Sequence, residues 1–167
     1  MSTLINPRYV WLDFARQLRM PVNLFFTIIL PTVMYVVFGV TQDYATQATL
    51  HGNVSATMMA SMAVYGAVTA TSSLAGTAAL EQQTGWRRQL ALTPYTSAQF
   101  IAGKVLMAMS VAALPVTVVL LTGAVTNAEL AAWWRWPAIW GLCMLGAMVF
   151  SLYGLAIATW FLSLIHI

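Results

Sequence analysis

Bond-making chemistry needs a nucleophile beside a base, a pair of carboxylates or a cluster of metal ligands, and this sequence spaces none of them that way. Cys143 is the single cysteine, and His51 and His166 stand far apart without an HExxH pattern. The acidic residues Asp13, Asp43, Glu81 and Glu129 are scattered along the chain. No metal site is expected, and an intramembrane enzyme is the most distant of the function classes. The residues that do cluster are Glu81, Gly85, Arg87, Arg88, Leu90, Leu92, Thr93 and Pro94, with Gly103-Lys104 following after eight further residues. Gly85 and Pro94 are breakers, and between them the arginines and the leucine pair ride on a short predicted helix. Held parallel to a membrane, that helix is a docking surface for a cytosolic partner. The simpler alternative is a solvated loop whose basic residues only set topology. Thr96-Ser-Ala-Gln99 has the spacing of a capping box and restarts a helix.

The elements that position this loop follow from composition. Of the 167 residues 60% are hydrophobic and 7% charged, against roughly 25% charged in a soluble domain. Eleven charged side chains cannot clothe a soluble globule, and disordered or disulfide-rich classes fail as well. The net charge of +3 is too scattered for nucleic acid. Four gaps free of Asp, Glu, Lys and Arg each suit one crossing of a bilayer core, which takes about 20 apolar residues. The predicted crossings are 24–41, 54–79, 103–126 and 137–161. Apolar runs without alternation favour helices over barrel strands.

Arg8, Arg16, Arg19, Arg87, Arg88 and Lys104 fall on one side of these crossings and Arg135 on the other. By the positive-inside rule the N-terminus and the 81–100 loop face the cytoplasm. Lys104 is expected at a helix end, where it can snorkel. The first apolar run starts too late and is too long for a signal peptide. Before it, residues 8–20 form an amphipathic helix expected to lie in the headgroup region. Val10, Trp11, Phe14, Ala15 and Leu18 share one arc, and Arg8, Asp13, Arg16, Gln17 and Arg19 the other.

The second crossing is lined with small residues, among them Gly66, Ala67, Ala70 and Gly76. Such residues let helices approach closely, within the subunit or across a dimer. Pro31 and Pro115 each lie inside a crossing and permit kinks.

The loop resembles that of the membrane subunit of type-2 ABC transporters. That loop reads approximately Glu-x-x-x-Gly, a basic and leucine-containing turn, Thr-Pro, and then Gly-Lys. The matching residues are Glu81, Gly85, Arg87 to Leu92, Thr93-Pro94 and Gly103-Lys104. The amphipathic lead-in, Arg19-Met-Pro21, Pro31 and Phe38-Gly39 are similar too. The chain departs from the family at Arg88-Gln89, where an acidic residue followed by a basic one is common. The resemblance implies an all-α integral membrane protein with an N-terminal interfacial helix (Trp11, Phe14, Arg16, Leu18 and Arg19) and a coupling helix between crossings two and three. It implies no ATPase site and no cofactor on this chain, with ATP and Mg bound by a separate ATP-binding subunit. In that picture Glu81 and Gly85 shape the loop entry, Arg87 and Arg88 touch the ATPase, and Thr93-Pro94 ends the contact. A second permease copy completes a dimer in the cytoplasmic membrane of a prokaryote, exporting an amphiphilic or hydrophobic substrate.

The resemblance further implies six crossings, of which this chain has four. The sequence is therefore expected to be a fragment, with residues 163–167 a non-native tail. The alternative function is a non-transporting membrane scaffold or sensor that binds a cytosolic regulator through the basic loop.

Overall fold

Three of the helices are apolar around their whole circumference, which suits rods surrounded by lipid and one another rather than by water. The computed structural model describes residues 7–83 and 97–164. It holds a short α1 (Pro7–Leu18), then α2 (Pro21–Val40), α3 (Val54–Gln83), α4 (Ser97–Ala124) and α5 (Arg135–Leu164). Four stretches are long and apolar enough to cross a membrane: Pro21–Val40, Val54–Leu74, Ile101–Ala124 and Arg135–Ile157. The helices extend beyond the predicted crossings. α3 continues into the expected loop as far as Gln83, and α4 begins at Ser97 rather than after it.

α3 is the central helix and touches α2, α4 and α5. Its small side chains explain this, because Ala63, Ala67 and Ala70 are buried and let three neighbours approach. Met59, Met107, Val116 and Met144 fill the spaces between the rods. Consecutive helices run in opposite directions, so α1, the end of α3 and the start of α4 share one end of the bundle. At that end α1 packs against α4 and against the start of α2.

α2 is not regular. Phe25–Ile29 and Val36–Val40 are π-helical turns inside it, with Leu30 N donating to Phe25 O and Thr41 N to Val36 O. Pro31 supplies no N–H to the carbonyl of Thr27, so the hydrogen-bond register widens just before it. Threonine hydroxyls occupy neighbouring carbonyls: Thr27 donates to Asn23 O at 2.8 Å, Thr32 to Ile28 O at 2.7 Å and Thr41 to Val37 O at 2.7 Å. Pro21 opens α2 at its first turn, where a missing N–H costs nothing.

At the opposite end two connections are knitted together. β1 (Ala48–Thr49) and β2 (Gly52–Asn53) form a small antiparallel hairpin, and Gly52 bridges onward to Leu130. Gly52 has φ +157° and lies directly against the Glu129 carbonyl, a place where any Cβ would collide.

Candidate functional site

The predicted docking element lies between the last turn of α3 and the first of α4. Glu81 is in that last turn. Gly85, Arg87, Arg88, Leu90, Leu92, Thr93 and Pro94 lie outside the described residues. What the structure describes is the frame that holds both ends of this segment.

That frame is centred on Gln17. Its side chain is 1% exposed, its Nε2 donates to Thr77 Oγ1 at 3.4 Å, and its Oε1 accepts from Asn23 Nδ2 at 3.2 Å. One amide thus ties α1 to the end of α3 and to the start of α2. The helical wheel set Gln17 among the solvent-facing residues of α1, and this is corrected. Thr77 and Asn23 are polar partners on other helices, and they draw the residue inward. Phe14 is half-buried against the main core. Trp11 is exposed and stands 6.0 Å from the Phe14 ring. Arg16 and Arg19 are exposed, and Leu18 closes the helix.

A second correction concerns Lys104. It does not snorkel from a helix end, because it is only 4% exposed and lies between α3, α4 and α5. It shares a cavity of about 10 Å³ with Thr71, Leu74, Ala108, Ser151 and Leu155. Lys104 lies about two turns into α4, and its side chain is enclosed by α3 and α5 residues. Ser151 on α5 is its neighbour across the cavity.

The small residues of α3 separate into two groups. Ala67 and Ala70 are in the core of the chain itself. Gly66 sits at a tight crossing: a Cβ there would stand 2.8 Å from Pro115 Cβ and 3.3 Å from Thr27 O. α2, α3 and α4 therefore meet at one glycine. Gly76 is exposed and faces open space.

The opposite end carries a polar network that sequence patterns did not single out. Asn53 Oδ1 accepts from Ala56 N at 2.9 Å, capping α3, and from Glu129 N at 3.1 Å, while its Nδ2 donates to Asn127 O at 2.6 Å. Arg135 Nη1 donates to His51 O at 2.7 Å and the guanidinium lies over the Trp134 ring. The asparagine one residue before a long apolar helix was the available signal.

Among the described residues no three His, Cys, Asp or Glu side chains come together. The family model described as ABC-2 type transporter matches residues 8–166, nearly the whole chain. No curated protein and no solved structure matches it significantly. The match takes in α1, all four long helices and the segment joining α3 to α4, and the chain belongs to the ABC-2 type transporter family.

Proposed function

We propose that the chain is the permease subunit of an ABC exporter and that residues 84–96 receive a separate ATP-binding subunit. Nucleotide and magnesium belong to that subunit. A second permease copy faces the first, and an amphiphilic or hydrophobic substrate moves between them out of the cytoplasm.

The observation that carries this reading is the Gln17 junction. It links α1 by a side-chain hydrogen bond to α3, the helix that leads into segment 84–96. A push on that segment reaches α3 directly, and α3 touches every other long helix. The basic residues Arg87 and Arg88 give the segment the charge with which to hold a partner's carboxylates.

The test is co-purification with the ATP-binding subunit encoded beside the gene. R87E/R88E in the full chain should lower the affinity of the pair by about tenfold or more, as truncation or reversal of interface charges does. Substrate-stimulated ATP hydrolysis should fall with it. Association and stimulated hydrolysis unchanged in the double variant would overturn the proposal.

A further inference from the structure

Ser151 is 2% exposed, and its Oγ finds no hydrogen-bond partner among the described residues. A buried hydroxyl in that position is costly, and more so where the surroundings are apolar side chains. It lines the same cavity as Thr71 and Lys104, two further polar side chains that are themselves almost wholly buried. Thr71 spends its proton on its own helix, donating to Ala67 O at 3.1 Å and Val68 O at 3.0 Å. The lone pairs of its oxygen remain as acceptors. Three helices thus contribute a cation that only donates, a hydroxyl left to accept, and a hydroxyl without a partner.

The volume decides what fits. About 10 Å³ is close to the space that a single water requires, and such waters typically make about three hydrogen bonds. We propose that this cavity is a binding site for one water molecule, bridging Ser151 Oγ on α5, Thr71 Oγ1 on α3 and Lys104 on α4. The water accepts from the lysine, donates to Thr71 and completes the hydrogen bonding of Ser151. It satisfies the serine and gives the three helices one shared partner. The joint can therefore re-form at altered angles when the rods shift. The site stands on the packing of this chain alone and does not depend on the transport reading.

Two measurements on the full chain test it. A crystal structure grown from a lipidic phase, at a resolution that shows ordered solvent, should place density within hydrogen-bond distance of Ser151 Oγ and Thr71 Oγ1. Density absent from the cavity, with Ser151 turned to the carbonyl of Ala147, would overturn the site. The second is a double-mutant cycle read by thermal unfolding in detergent. Ser151→Ala and the isosteric Thr71→Val should each lower Tm by about 2–4 °C. The pair together should lose less than the sum, because either change alone already weakens the shared water. Losses that simply add, or a Tm raised by Ser151→Ala, would show a dry cavity and overturn the proposal.

Discussion

Tyr35 is fully buried where α2, α3 and α4 converge, and its hydroxyl lies 3.1 Å from Ser55 Oγ and 2.7 Å from Thr126 Oγ1. Thr126 already donates to Thr122 O at 2.8 Å, so it accepts from Tyr35, and Ser55 donates to the phenol oxygen. A chain of protons in one direction satisfies all three groups. Tyr35→Phe keeps the ring and removes the relay: Thr126 keeps its bond to Thr122 O, and the Ser55 hydroxyl loses its acceptor. The expected loss is about 1 kcal/mol, since hydrogen bonds between membrane helices are weaker than desolvation alone suggests. For a chain of this size that corresponds to a Tm lower by about 2–4 °C. Thermal unfolding in detergent measures it, and an unchanged Tm would show that the three helices are joined at this end by packing only. Little of this was legible beforehand. A tyrosine in an apolar run announces an amphipathic ring, whereas its partners lie 20 and 91 residues away, and only the fold brings them together.

Among the elements, α3 shows how the same residue type can be fixed in one place and free in another. Gly66 and Gly76 both belonged to the small-residue pattern, and nothing in the pattern separates them. The structure does, because Gly66 faces a rigid proline ring and a backbone carbonyl while Gly76 faces nothing. Gly66→Ala puts a methyl where neither neighbour can give, and overpacking of this kind costs about 1–3 kcal/mol. Gly76→Ala meets no obstacle and should be neutral or stabilising by up to about 1 kcal/mol, the difference in helix propensity. The pair of variants, compared by thermal unfolding, checks the crossing: equal effects would mean that Pro115 does not press on Gly66. The prolines were read as sites of kinking. At Pro31 the helix responds with widened turns and threonine hydroxyls on nearby carbonyls, a solution that needs Thr27 and Thr32 at their particular positions.

At the scale of the whole molecule, the charge gaps carried most of the architecture, because a bilayer core demands about 20 apolar residues for each crossing and tolerates few charges within it. What the gaps could not reveal is which polar residues near their edges turn inward, as Gln17 and Lys104 do; that depends on partners on other helices. The distribution of positive charge makes one further demand on the whole chain. Arg8, Arg16 and Arg19 come before the first crossing and Arg87, Arg88 and Lys104 come between α3 and the body of α4, while Arg135 opens α5 at the hairpin end. The positive-inside rule predicts that the hairpin and the α4–α5 connection lie outside the cell. Leu50 is 89% exposed and Val125 83% exposed at that end, and Trp11 is 66% exposed at the other. Single cysteines at these three positions leave the packing undisturbed, and the native Cys143 is buried among the helices and slow to react. A membrane-impermeant maleimide applied to intact cells should label Leu50→Cys and Val125→Cys but reach Trp11→Cys only after permeabilisation. Labelling of Trp11→Cys on intact cells, with the other two protected, would invert the molecule. It would also remove the 84–96 segment from any ATP-binding subunit in the cytoplasm, so the orientation and the proposed coupling stand or fall on the same experiment.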